Sequence, residues 1–501
     1  MSSGTNILRE FISLLYWTML AACTVGPGTV VTCARAGSEY GLSLIWSLVF
    51  ATILAYTLLE GTARLTIVSG MSLGQCLRVK YRHTYKILGT TFVCWIVAVG
   101  VFLGNTFYQL NCWAGGIDAI LAIPGTDNST TLRVCCCIGY AVIVIGLLYW
   151  DKTDKLGVLL GVVMIGMATL FLIVVIKMDV DWPSLGKGFI PNIPEKRENA
   201  AEPTDMVLSL VSTTAIGFNL FLGGSMAEGK TLRNAQRGIA FSTFCAFLVS
   251  SLILIVGSGD HGDEITDEFQ IADIADAVER FFGTTGVVIY AMGFISAALS
   301  SMLTVSLGAA LTADSMFTYD PDQKREPKEA GKDNEAFQGD IELRADTKKE
   351  SDKLKAEEES TKMPRWIYLS IMFSMVVLST AVISANVDRK LVILTAQVFN
   401  GILLPFYCIC LLICINDKLL MAKSPQTGWS NVFLSLTVTI TLFLAFNVVT
   451  QKIAGSNLEA YVKFSIAGSL ALVTMLLLCL VTSLGRDLLR SFRLHCFSSN
   501  S

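Results

Sequence analysis

Two apolar stretches of this sequence are interrupted, and the interruptions expose the groups with which the chain could hold a solute. The first contains Gly26-Pro27-Gly28 followed by Thr29; the second contains Ile216-Gly217-Phe218-Asn219 and then Gly223-Gly224. A proline between glycines removes a backbone donor and disfavours helix strongly. Within a bilayer such a break persists only where the freed backbone groups are buried in protein or line a cavity. The second half of a broken helix begins with unpaired N–H groups and a partial positive charge. Bare amides near Gly28 and Thr29 would suit an anion. The hydroxyls of Thr24, Thr29 and Thr32 and the amide of Asn219 could complete a neutral, hydrogen-bonding pocket, closed by Gln397 and Asn400. This is binding chemistry. The three histidines, His83, His261 and His495, fall in expected loops or the tail. The 14 cysteines form no CxxC pair and no Cys/His ligand spacing, and no nucleophile–base pair can be assembled. The expectation is therefore no enzyme, no cofactor and no resident metal.

The elements that must position these groups are membrane spans. Of 501 residues, 53% are hydrophobic and 16% charged, against about 25% charged in a soluble domain. Apolar runs long enough to cross a bilayer are read near 11–34, 41–66, 88–112, 132–150, 156–178, 204–227, 238–258, 284–312, 366–386, 391–415, 430–450 and 461–484. The class is an all-α polytopic membrane protein of about twelve spans. Membrane domains are expected over 1–317 (spans one to eight) and 366–485 (spans nine to twelve), with a tail over 486–501. The two interrupted spans are the first and sixth, matching positions of two five-helix halves, which points to a transporter site near the midplane.

Charge sets the orientation and excludes some partners. A net charge of −3 gives no basic face for nucleic acid. Arg78, Lys80, Arg82 and Lys86 follow span two, Lys230, Arg233 and Arg237 follow span six, and Arg486, Arg490 and Arg493 follow span twelve. The positive-inside rule then puts both termini in the cytoplasm, in a plasma membrane or a secretory or endosomal organelle. The loop after span three faces outward and carries Asn128-Ser129-Thr130, a glycosylation acceptor; Cys112 and Cys135 flank it and could bridge there. Residues 318–365 alternate acidic and basic side chains and read as a disordered cytoplasmic loop. The acidic segment Asp260 to Glu279 lacks the ligand order of a calcium loop and reads as a solvated face.

The segment from Gly26 through Ser38-Glu39-Tyr40 to Trp46 resembles the first-helix signature of the Nramp metal transporters. Leu59-Glu60-Gly61-Thr62-Ala63-Arg64-Leu65 and Gly70-Met71-Ser72-Leu73-Gly74 resemble that family's second helix and following loop. Asn219-Leu220-Phe221-Leu222, Ala297 to Ser301, and Gln397 with Leu404-Pro405-Phe406 and Asn416-Asp417-Lys418 resemble its sixth, eighth and tenth helices. The resemblance implies a leucine-transporter-type fold: two inverted five-helix repeats, here followed by two C-terminal helices, with alternating access. It also implies a substrate site at the unwound spans, formed by Gly26, Pro27, Gly28, Thr29, Ile216, Gly217, Phe218, Asn219, Gln397 and Asn400. Ser300, Ser301 and Thr304 become candidates for a coupling ion.

The ligands themselves depart from the family. Its first-helix Asp-Pro-Gly-Asn motif has Gly26 at the Asp position and Thr29 at the Asn position, and its sixth-helix Met-Pro-His-Asn reads Ile216-Gly217-Phe218-Asn219. The soft thioether and the carboxylate that offsets a divalent charge in low dielectric are gone together. The acidic pair of the third helix falls at Thr106 and Gln109, and the sixth-helix histidines are Phe218 and Gly223. Phe218 either narrows the cavity or packs. Arg35 either draws anions into an outer vestibule or pairs with Glu39 at i+4. The reading that follows is a transporter for a small anionic or zwitterionic solute. A divalent metal cation carrier of the Mg²⁺ or Mn²⁺ type and a non-transporting receptor or scaffold are the alternatives.

Overall fold

Glycine and proline set the joints of the helices. The computed structural model describes residues 17, 20–21, 23–87, 90–123, 125–126, 129–150, 165–166, 168–178, 180–197, 200–259, 272–318, 363–385, 387–421, 428–454 and 460–481. Helix α1 (Pro27–Tyr40) starts with proline at its first position, where no N–H is missed. It ends at Gly41, whose φ of 58° leads into a 3₁₀ turn, Gly41–Leu44. Helix α2 (Ile45–Ser69) stops at left-handed Gly70, and α3 (Leu73–Lys80) opens on a capping box between Ser72 and Gln75. A two-residue ladder pairs β1 (Lys86–Ile87) with β2 (Thr90–Thr91).

The remaining helices are α4 (Phe92–Leu121), α5 (Thr130–Trp150), α6 (Ala168–Lys177), α7 (Trp182–Gly188), α8 (Pro203–Thr214) and α9 (Gly217–Ala227). They continue with α10 (Leu232–Ser258), α11 (Ala272–Phe317, kinked at Gly283), α12 (Arg365–Ser384), α13 (Arg389–Ile415), α14 (Gly428–Ala454) and α15 (Ala460–Val481).

Among the described residues ten helical stretches are long and apolar enough to cross a membrane, not twelve. Two of the expected spans differ for identifiable reasons. Pro27–Ser69 counts as one 43-residue stretch because the Gly41 turn joins the outer half of span one to span two. Span five is described chiefly as the short α6. The charged 318–365 loop lies outside the described residues apart from its ends, as do most of the acidic outer segment, Asn128 and the C-terminal tail.

Burial ranks the helices by position. Every residue of α1 is buried, and the apolar window of Pro203–Ala227 is 100% buried, against 11% for Val462–Cys479. The broken helices are therefore central, and α15 presents its apolar surface outward, as a lipid-facing helix does. Around them α4 packs along α11 and α13, α2 along α9 and α10, and α1 along α10. The α1–α10 contact is made by backbone. A methyl group on Gly37 would lie 2.1 Å from the Leu254 carbonyl oxygen, and one on Gly257 would lie 2.3 Å from that of Ala34. Only small residues allow this approach.

Candidate functional site

Both interruptions are present where the sequence places them, with one shift. The first falls at Val25-Gly26, just before α1. The second falls at Ala215-Ile216, just before Gly217, while Gly223-Gly224 remains inside α9. Backbone geometry, not glycine content, decides the point of rupture: Ile216 is extended (φ −92°, ψ 131°).

The two breaks are laced together by short hydrogen bonds. Thr24 Oγ1 donates to the Leu20 carbonyl at 2.8 Å, and Thr29 Oγ1 donates to the Thr24 carbonyl at 2.6 Å. Asn219 Nδ2 donates across to Thr24 Oγ1 at 3.2 Å. The amides of Thr29 and Val30 both turn back to the Gly26 carbonyl, and Asn219 N–H turns to that of Ile216. Neither α1 nor α9 has a side-chain cap at its start. This leaves Gly28, Gly217 and Phe218 N–H as orphan donors at two buried helix starts, the situation that a ligand resolves.

Apolar packing fills the side of this junction toward α9. The Phe218 ring lies edge-on to Tyr108, with centroids 5.6 Å apart, and covers Gly308. The Tyr407 ring lies on Gly217, 2.4 Å from where a methyl group would stand. Packing is thus the role of Phe218, the second of its two readings.

The opposite side of α1 is polar and unsatisfied. The seat that a side chain at Gly26 would take is occupied by Ser301 Oγ, 2.6 Å away, with the Tyr108 hydroxyl at 3.3 Å. The seat at Gly28 is occupied by Gln397 Nε2 at 1.8 Å and Asn111 Nδ2 at 2.3 Å. Ser301 Oγ, Tyr108 Oη and both side-chain ends of Asn111 and Gln397 are buried without a hydrogen-bond partner, as are Thr32 Oγ1 on α1, Gln109 on α4 and Asn219 Oδ1 on α9. Buried polar groups are normally paired, because each orphan costs about 1–3 kcal/mol. A cluster of this size around one helix start makes this the candidate binding site. All its members are neutral. Among the described residues no group of three His, Cys, Asp or Glu side chains can hold a metal ion.

Several expected positions have other occupations. Arg35 pairs with Glu39 within α1, both buried, and Glu39 also accepts from the Ala201 N–H at 2.9 Å. Neither faces an open vestibule, so the i+4 pair is the correct reading. Ser300 donates to the Ala297 carbonyl and Thr304 to the carbonyls of Ser300 and Ser301, bonds within their own helix. Asn400 likewise donates back to Ala396. Thr106 donates to Phe102. Cys112 is buried and Cys135 exposed, and both are free thiols, so the suggested bridge is absent.

Sequence reasoning missed Tyr108, Asn111 and Tyr407. The available signal was in α4: Asn105, Thr106, Tyr108, Gln109 and Asn111 crowd polar atoms into an otherwise apolar span, and intramembrane polar clusters mark sites.

Comparisons with known proteins agree with this architecture. A family model described as "Natural resistance-associated macrophage protein-like" matches residues 18–330 and 352–451. The chain is 22% identical over 446 residues to the "Divalent metal cation transporter MntH" of Pediococcus pentosaceus, covering 85% of this chain and 88% of that protein. It is 21% identical over 458 residues to the protein of the same description in Levilactobacillus brevis, with 87% and 88% covered. The crystal structure of an Eremococcus coleocola manganese transporter, in complex with an aromatic bis-isothiourea substituted compound, superposes with a TM-score of 0.64. Coverage is 95% of both chains, at 17% identity.

Proposed function

Because the chain belongs to the natural resistance-associated macrophage protein family, whose members are multi-pass membrane transporters with a leucine-transporter-type fold, we propose that its cargo is a small anionic or zwitterionic solute. Alternating access would carry it through the site at the two broken helices. The observation that supports this cargo is the cluster of buried, partnerless and uncharged polar groups around Gly26 and Gly28. Among the described residues the buried carboxylates Glu39 and Glu60 are each paired with an arginine. A divalent ion entering here would meet no free negative charge, and an uncompensated ion in low dielectric is very costly. An anion would meet two positive helix ends and several donors.

A second reading has its own support. The curated relatives that align over most of the chain are described as divalent metal cation transporters, and these descriptions favour a divalent cation. A partly hydrated Mg²⁺ needs few direct ligands, so neutral oxygens could contact its water shell. The relatives' descriptions favour the cation; the residues of this chain favour the anion or zwitterion. A scaffold without transport gains no support from either.

Uptake into proteoliposomes separates the readings. Accumulation of labelled carboxylate, inorganic anion or amino acid, with no uptake of Mn²⁺ or Mg²⁺, is the expected result. Entry of Mn²⁺ or Mg²⁺ with none of those solutes would establish the cation reading. The basic residues Arg78, Lys80, Arg82 and Lys86 support a cytoplasmic placement of that end of the bundle and of both termini; protease accessibility of epitope tags at the two ends tests it.

A further inference from the structure

We infer that the solute is held on the side of α1 facing α4, α11 and α13, with Asn111, Gln397 and Tyr108 as its specificity-determining contacts, and that the group they receive is a carboxylate or similar planar oxyanion. The inference rests on the anionic or zwitterionic reading and locates its charge.

The side of α1 toward α9 is largely filled, leaving Asn219 Oδ1 and the Gly217 and Phe218 N–H groups as its unpartnered atoms. Asn219 Nδ2 is bonded to Thr24, the Phe218 ring covers Gly308, and the Tyr407 ring covers Gly217. The other side holds more unsatisfied side-chain atoms. Gln397 Nε2 and Asn111 Nδ2 approach the same point above the Gly28 α-carbon, at 1.8 and 2.3 Å. The two amide nitrogens therefore lie within about 4 Å of each other, the span over which the two oxygens of one carboxylate can each accept a hydrogen bond. Gly28 N–H projects from the same residue, at the positive end of a 14-residue helix. The Tyr108 hydroxyl and Ser301 Oγ stand two residues away, beside Gly26. Asn111, Gln397, Tyr108 and Ser301 are fully buried.

Helical spacing explains the assembly. Tyr108 and Asn111 are three residues apart on α4 and so share a face, and Gln397 approaches from α13. Glycine at 28 is required because the two amide nitrogens occupy the place a side chain would take. Within the site at the broken helices, the carboxylate thus sits beside the start of α1, where α4 and α13 meet it.

Thermal protection of the purified full-length protein tests this, since a ligand bound only by the folded state raises Tm. The probes are sodium formate (a bare carboxylate), glycine (a carboxylate on a zwitterion), sodium chloride as an ionic-strength control, and MgCl₂ and MnCl₂. Formate or glycine is expected to raise Tm well beyond chloride, and which one does so identifies the source of the carboxylate. Asn111→Leu and Gln397→Leu are expected to weaken the protecting ligand at least tenfold. Because apolar replacements at buried sites can impair folding, Asn111→Asp and Gln397→Glu serve as isosteric companions. They are expected to abolish carboxylate protection by like-charge repulsion while keeping a monodisperse protein. Protection by formate or glycine that persists in all four variants would overturn the location while leaving the proposed cargo standing. Protection by Mg²⁺ or Mn²⁺ alone would overturn both.

Discussion

Asn219 Nδ2 and Thr24 Oγ1 are joined by a 3.2 Å hydrogen bond that spans the two broken helices, 195 residues apart in sequence. It is the direct polar link between the helix end before one break and the helix start after the other. Replacing Asn219 with alanine removes that link, and a typical net loss is about 0.5–1.5 kcal/mol. Asn219→Ala is expected to lower Tm by a few degrees and to slow uptake more than it weakens ligand protection, because Asn219 ties the halves together. Equal losses in both readouts would place Asn219 among the ligand contacts.

Gly26 is crowded by Ser301. Introducing the family's carboxylate as Gly26→Asp forces a Cβ to within 2.6 Å of Ser301 Oγ, an overpacking that costs typically about 1–3 kcal/mol. Gly26→Asp alone is expected to lose native transport and stability. Adding Ser301→Gly should return most of the stability without the transport, and adding Thr29→Asn should bring weak Mn²⁺ binding, measurable by calorimetry. Full native transport by Gly26→Asp would remove Gly26 from the site.

The Arg35–Glu39 pair is buried and gives a stability prediction. Taking away the carboxylate as Glu39→Ala strands a buried guanidinium and opens the Ala201 N–H, with an expected loss of about 3–5 kcal/mol. Arg35→Met is expected to cost less than Glu39→Ala, since a lone carboxyl can take up a proton and an arginine cannot lose one. Thermal unfolding in detergent checks the order, and uptake by the folded fraction of Arg35→Met is expected to persist.

The α1–α10 interface has no side chain to yield. Gly257→Ala sets a methyl group 2.3 Å from the Ala34 carbonyl oxygen, and a backbone atom on a buried helix cannot step aside. The expected cost is about 1–3 kcal/mol, read as a lower Tm. Gly139→Ala, where the added methyl meets nothing within 4 Å, is the control and is expected to be neutral.

Asp417 supplies a pH prediction outside the spans. Burial alone would raise its pKa, but the Lys80 ammonium together with the Leu419 and Leu420 amides outweighs burial and holds the carboxyl below its ordinary value. A carboxyl whose folded pKa lies below its unfolded one stabilises the fold above the unfolded value. That contribution is lost as the pH falls through the lowered pKa. Tm is expected to be flat near neutrality and to decline below about pH 4, and Asp417→Asn should remove part of the decline while lowering Tm at pH 7.

The helix breaks were legible because proline and glycine act locally: Gly26-Pro27-Gly28 interrupts any helix that contains it. The absence of the family's carboxylate and thioether was legible for the same reason, since Gly26 and Ile216 are what they are wherever they sit. The partners of Gly28 were not. Asn111 and Gln397 lie 83 and 369 positions further along, and their convergence depends on how α4 and α13 pack, which no local pattern records. Arg35 had two consistent readings in sequence, and only the burial of Glu39 beside it separates them. The Gly223-Gly224 pair misled because glycine permits a break without requiring one.

Glu39 and Tyr40 grip a single residue through the peptides on either side of it: Glu39 accepts the Ala201 N–H, and the Tyr40 hydroxyl donates to the Ala201 carbonyl. That residue lies two positions ahead of Pro203, where α8 begins. A tilt of the outer half of the first broken helix is thereby handed to the lead-in of the second, as a crank turns its connecting rod. Whatever the solute, the end of the first broken helix and the approach to the second are tied together at Ala201.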